Sequence, residues 1–166
     1  MKPYRNLPKL EYFEPYTGSN SPRARTVPAD ERYENLSPRQ LTISWICRFI
    51  AGAIMIETLF FKFTGAPESI YIFSKMHMEP WWRYGQGIWE LTASLLLLAR
   101  GSAWAGGILT LGAMGAAIMS HLTILGIQIR GDHGLLFSMA LVSFSAALIT
   151  TLIHRYEIPG YAPATN

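Results

Sequence analysis

Hydrophobic positions fall into blocks along this chain. From residue 41 onward four long apolar runs appear, at residues 41–61, 84–99, 103–127 and 135–153. About 20 helical residues span the ~30 Å hydrocarbon core of a bilayer, and each run is near that length. The first run opens at Ser37-Pro38, which reads as a helix N-cap followed by Pro at the first helical position. The second run is short, and Trp81 and Trp82 on its flank suit an interfacial anchor. Arg100-Gly101-Ser102 separates the second and third runs, and residues 128–134 separate the third and fourth. Connections this short force antiparallel neighbours. The pattern therefore predicts an all-α integral membrane four-helix bundle. A soluble bundle would carry a charged stripe on each helix, and these runs carry none.

The loop from residue 62 to 83 is longer and holds a stretch, Ser69–Met76, that is apolar but too short to cross. Pro67 and Glu68 stand at its start, where a helix N-terminus favours both. A short interfacial helix is expected there. Residues 1–40 differ in kind. They hold six prolines, seven of the fourteen Lys/Arg and five of the eleven Asp/Glu, with neither helical nor strand periodicity. No apolar h-region follows Lys2, so the segment does not read as a signal peptide. Three regions result: an extended polar N-terminal arm at 1–40, a transmembrane region at 41–155, and a short tail at 156–166. The aromatics of the arm, Tyr4, Tyr12, Phe13, Tyr16 and Tyr33, are candidate anchors for docking on a partner.

Composition supports the membrane reading. Half of the 166 residues are hydrophobic and 15% are charged, against about a quarter charged in soluble domains. The net charge of +3 is concentrated before residue 41, so it reads as a topology signal and not as a nucleic-acid footprint. Arg23, Arg25, Arg32, Arg39, Arg100 and Arg155 share one side, and Lys62, Lys75, Arg83 and Arg130 the other. That bias predicts a multi-pass membrane protein with both termini cytoplasmic. A single cysteine, Cys47, excludes a disulfide framework and multi-cysteine metal sites, and reads as a small buried apolar residue.

Ionisable residues inside spanning helices are costly, so the few present mark candidate sites. Glu57, Glu90 and His121 lie at comparable distances from the same ends of their runs, which predicts an intramembrane polar pocket. Two carboxylates and an imidazole can exchange protons or hydrogen-bond a quinone head group. The structural alternative is a hydrogen-bonded knot that fixes helix register. Arg48 stands nine positions from Glu57, about 180° around a straight helix, so the two are not expected to pair. The spacing suggests no metal site, and haem lacks a second deep histidine. His77, His133 and His154 fall in loops or at helix ends and read as solvated. Small residues crowd the third run, among them Gly106, Gly107 and the Gly112/Ala116 pair, and read as close packing between helices.

Four stretches in order resemble the DoxX family of small four-helix bacterial membrane proteins. They begin at Arg48-Phe49-Ile50, Lys62-Phe63-Thr64, Gly87-Ile88-Trp89-Glu90 and Met119-Ser120-His121. The resemblance covers about residues 42–155 and leaves the N-terminal arm outside. It implies a cytoplasmic-membrane protein related to the DoxD subunit of thiosulfate:quinone oxidoreduction, with Arg48, Lys62, Glu90 and His121 at the family's polar positions. Two function classes follow. One is an accessory or structural transmembrane subunit of a larger respiratory or photosynthetic complex, not catalytic on its own and docked through its arm. The other is a quinone-linked redox subunit using Glu57, Glu90 and His121. No cofactor motif is evident, and quinone is the one small molecule the polar set suits. The partners expected are the lipid bilayer and other membrane subunits, with no nucleic acid.

Overall fold

A computed structural model describes residues 36–158, and every regular element among them is helical. Five α-helices follow in order: α1 Pro38–Thr64, α2 Pro67–Lys75, α3 Trp81–Leu98, α4 Ala103–Ser120 and α5 Leu135–Ile153. The aromatic anchors proposed at Tyr4, Tyr12, Phe13, Tyr16 and Tyr33 lie outside the described residues.

The helix ends follow from local chemistry. At the start of α1, Ser37 Oγ accepts from the Gln40 N–H and Gln40 Oε1 accepts from the Ser37 N–H. This reciprocal box satisfies two donors that the first helical turn leaves orphaned. Gly65 ends α1 at φ 68°, a left-handed conformation that glycine adopts without steric cost. Helix α4 ends earlier than the apolar pattern suggests. From His121 the backbone widens into a π-turn, His121–Leu125, and the Gly126 N–H donates to the His121 carbonyl. The short helix expected in the first loop is present as α2.

Helix α1 packs against α3 and α5, and α4 closes the ring against the same two. Met55, Ala93, Ala113, Met114 and Ala140 form the central cluster. Nearer the α1 N-terminus, Cys47, Ala51, Leu97 and Ala146 form a second. Backbone meets backbone most closely at Gly106, where an added Cβ would stand 2.2 Å from the Leu97 nitrogen. Helix α2 contacts α1, α3 and the π-turn, so it lies across one end of the ring.

Three helical segments are long and apolar enough to cross a membrane: Pro38–Thr64, Ala103–Leu125 and Leu135–Ile153. The second apolar run, now α3, does not qualify by itself. The helix begins at Trp81 and so adds Arg83 to the Gln86 and Glu90 already within the run, and the three dilute its hydrophobicity. Arg83 and Glu90 turn inward and are buried, while Ile88, Trp89, Leu91 and Leu95 face outward.

Candidate functional site

The charged residues of the interior concentrate between α1 and α3. Glu90 is 2% exposed and receives three polar contacts. Lys62 Nζ lies 2.8 Å from its Oε2, and the Thr58 hydroxyl lies 2.9 Å from the same oxygen. Gln86 Nε2 donates to Oε1 at 3.3 Å. Thr58 and Lys62 are four residues apart on α1, so both present the same face to Glu90. Gln86 precedes Glu90 by four on α3 and reaches it along its own helix.

An arginine flanks this pair on each side. Arg48 of α1 is fully buried and donates from Nε to the Leu97 carbonyl and from Nη2, at 2.6 Å, to the Ala99 carbonyl. Its guanidinium also lies over the Trp45 ring, 4.0 Å from the centroid. Arg83 of α3 donates from Nη1 to the Lys62 carbonyl and from Nε to both Glu79 oxygens, at 2.8 and 3.0 Å. The arrangement is reciprocal: each helix of this antiparallel pair has C-terminal carbonyls bound by an arginine of the other. A cation there meets the negative end of the helix dipole and satisfies carbonyls that lack an intrahelical donor. These partners are main-chain atoms, which leave no mark in the sequence.

The expected pocket of Glu57, Glu90 and His121 does not assemble. Thr58 touches Glu90, so Glu57 stands at the level of Glu90, but on the exposed side of α1. The buried residues of α1 include Ser44, Arg48, Ala51, Met55 and Leu59, and Glu57 projects about 180° from the centre of that stripe. His121 is buried and closes its own helix end. Its Nδ1–H donates to the Gly126 carbonyl at 2.8 Å, and its ring meets Phe137 edge-on at 5.6 Å. The level of Glu90 was readable by counting residues, and the azimuth of Glu57 required knowing which face of α1 is buried.

A second polar chain joins the opposite end of the molecule. His154 follows α5 and is 1% exposed, not solvated as a terminal histidine suggests. Its Nε2 shares a 2.6 Å hydrogen bond with the Ser44 hydroxyl of α1, and its Nδ1–H donates to Glu157 Oε1 at 2.5 Å. Ser44 and Glu157 are also buried. Ser44 and His154 are 110 residues apart, so no local pattern pairs them. The Arg155–Glu157 turn folds back to supply the carboxylate.

Asp132 organises the loop before α5. It accepts from the N–H groups of Ile129, Gly134 and Leu136 at 2.7, 2.9 and 3.1 Å. Burial acts to raise its pKa, but these three donors and the nearby His121 hold it below the ordinary carboxylate value. Among the described residues, no group of three or more His, Cys, Asp or Glu side chains could hold a metal ion.

Chemically, the α1–α3 cluster is a closed ion pair between two arginine-bound helix ends. Its polar atoms already serve one another, which favours the helix-fixing role over proton exchange. Comparison with protein-family models, curated proteins and solved structures finds no match to this chain.

Proposed function

We propose that this chain is an accessory, non-catalytic transmembrane subunit of a larger respiratory or photosynthetic complex in a bacterial cytoplasmic membrane. The observation that carries the reading is the engagement of Glu90. Its carboxylate is bound by Lys62, Thr58 and Gln86 and serves to join α1 to α3. The quinone-linked alternative needs Glu57 and His121 beside that carboxylate, and neither is there.

On this reading α1, α3, α4 and α5 cross the membrane as a four-helix bundle with both termini cytoplasmic. Helix α3 crosses because its charges face α1, and its outer surface is apolar. Trp81 and Trp82 are strongly exposed at its start and suit the non-cytoplasmic interface. Residues 1–40 dock the bundle onto its neighbours through aromatic side chains and arginines.

Affinity purification in mild detergent tests the reading, comparing the full chain with one lacking residues 1–36. The full chain should carry partner subunits in fixed stoichiometry. The truncated chain should remain membrane-inserted and lose them. A full chain that purifies alone, or a truncated chain that keeps the same partners at unchanged yield, refutes it.

A further inference from the structure

Glu57 sets the outer face of α1 apart from those of the other spanning helices. The stripe around it contains Ile46, Phe49, Ile50, Ile56 and Phe60, all exposed. Ala53 lies one turn before Glu57 on the same side, and its small side chain lets another helix approach closely. Glu90, at the same level, is eight residues past Trp82, about 12 Å along the helix axis. Glu57 therefore lies well below the tryptophan belt.

Among the described residues Glu57 forms no ion pair. Among the described residues Lys62 is paired with Glu90, Arg83 with Glu79, and Arg130 stands against Glu68 beside α2. Arg48 projects from the opposite side of α1. A carboxylate on a lipid-facing helix surface is expensive and is stabilised by a hydrogen-bonding or charged partner.

We infer that the stripe of α1 centred on Glu57 is the docking face for a transmembrane helix of another subunit carrying a basic side chain at the level of Glu57. The inference rests on the subunit reading above and names the chemistry of one partner. Charge complementarity selects that occupant. A second copy of this chain would set Glu57 against another apolar, acid-bearing face. The apolar stripe supplies packing along the helix, and the carboxylate fixes register and selects a basic partner over an apolar one.

The test uses the full-length chain, labelled with a donor fluorophore, in phosphatidylcholine vesicles, whose quaternary ammonium cannot donate a hydrogen bond. The probes are two acceptor-labelled polyleucine transmembrane peptides, one with a single Arg at the matching depth and one with Leu there. Energy transfer should show the Arg peptide binding about tenfold more tightly, the size of one interhelical polar contact. Glu57→Leu should abolish the preference and Glu57→Gln should reduce it. Both substitutions sit on an exposed face, and circular dichroism and the thermal midpoint check that the fold is kept.

Equal binding of the two peptides, or a preference that survives Glu57→Leu, overturns the inference. Loss of the preference when phosphatidylethanolamine is added also overturns it, in favour of a lipid ammonium at Glu57. Self-association of the chain that depends on Glu57 overturns it in favour of a homodimer. A chain that purifies without partners yet prefers the Arg peptide fails the subunit reading and keeps the face. A chain that holds its partners through residues 1–36 and ignores the Arg peptide loses the face alone.

Discussion

Removing one member of the Lys62–Glu90 pair should cost more than removing both. The ammonium and carboxylate stand 2.8 Å apart, with side chains 13% and 3% exposed. Breaking a buried pair leaves an uncompensated charge, at about 3–5 kcal/mol, whereas replacing both members with apolar groups is often near neutral. The two single substitutions should differ. Lys62→Met strands the carboxylate at its buried position on α3, so it belongs at the upper end, about 4–5 kcal/mol. Glu90→Leu strands a lysine near the end of α1 whose stem can carry the charge outward, so about 3 kcal/mol is expected. The Lys62→Met/Glu90→Leu double variant still loses the Thr58 and Gln86 contacts, each worth about 0.6–1.7 kcal/mol between helices in a membrane. It should fall about 1–3 kcal/mol below the parent, and the cycle should return a coupling of at least about 3 kcal/mol. Reversible unfolding in mixed detergent micelles, followed by tryptophan fluorescence, measures each corner. Additive single and double costs, within about 0.5 kcal/mol, would show that the pair does not hold α1 to α3.

The close approach of α4 to α3 separates two glycines. Gly106→Ala would place a Cβ against the Leu97 backbone and should cost at least about 3 kcal/mol, whereas Gly112→Ala meets only the Trp89 ring, at 4.0 Å, and should be neutral or slightly stabilising in the same unfolding assay. Arg48→Lys keeps the charge but loses the fork that reaches two carbonyls, and should lower stability by about 2–3 kcal/mol with the helix content unchanged by circular dichroism. The lowered pKa of Asp132 means that its contribution is fully present above the unfolded value, about 3.9, and is lost as the pH falls through the lower folded value. Asp132→Asn should flatten that part of the stability profile between pH 5 and 2, and an unchanged acid limb would count against the assigned donors.

What could be read from the chain beforehand follows the reach of each interaction. The start of α1 was readable because Ser37 and Pro38 act within one turn, and the answering Gln40 side chain came from the fold. The short α2 was readable from Pro67, Glu68 and the apolar residues behind them. Of the inward residues of α3, Glu90 was readable as a costly group and Arg83 only as a loop charge, and their partners were only partly readable. Glu90 stood out by depth, while Lys62 stood out only through a resemblance that the comparisons do not test, and its pairing with Glu90 came from the fold. Arg48 and Arg83 bind carbonyl oxygens, and every residue has one, so side-chain pattern cannot identify the acceptor. His154 looked solvated because its burial depends on Ser44, contributed by a distant helix, and on a turn that forms after α5. Glu57 failed for a different reason. Depth along a helix comes from counting, but a carboxylate also needs an azimuth. That depends on knowing that the stripe through Ser44, Ala51 and Met55 faces inward.

The inward charges of α3 bear on how the molecule is assembled. A helix carrying Arg83 and Glu90 pays about 2.5–3.5 kcal/mol for each charge placed at the centre of a bilayer on its own. Near a helix end the cost is smaller, and Arg83 lies close to the start of α3, but Glu90 is nearly midway along. Beside α1, Glu90 finds Lys62 and Thr58, Arg83 finds the Lys62 carbonyl, and the α3 carbonyls at Leu97 and Ala99 find Arg48. Both buried charges of α3 are thus met by groups on α1. The converse holds for the buried charges of α1, because Arg48 and Lys62 are answered from α3. These two helices form a mutually dependent antiparallel pair. Their connection carries α2 and Glu79, and Glu79 holds Arg83 in place over the α1 terminus. Helices α4 and α5 carry no such charges within their α-helical spans and qualify as spanning segments without help. The fold therefore divides by chemistry into an electrostatically joined half, α1 with α3, and an apolar half, α4 with α5, packed through glycine and alanine. Glu57 is the carboxylate of the joined half turned away from it, and the docking face proposed above gives it a counterpart on another chain.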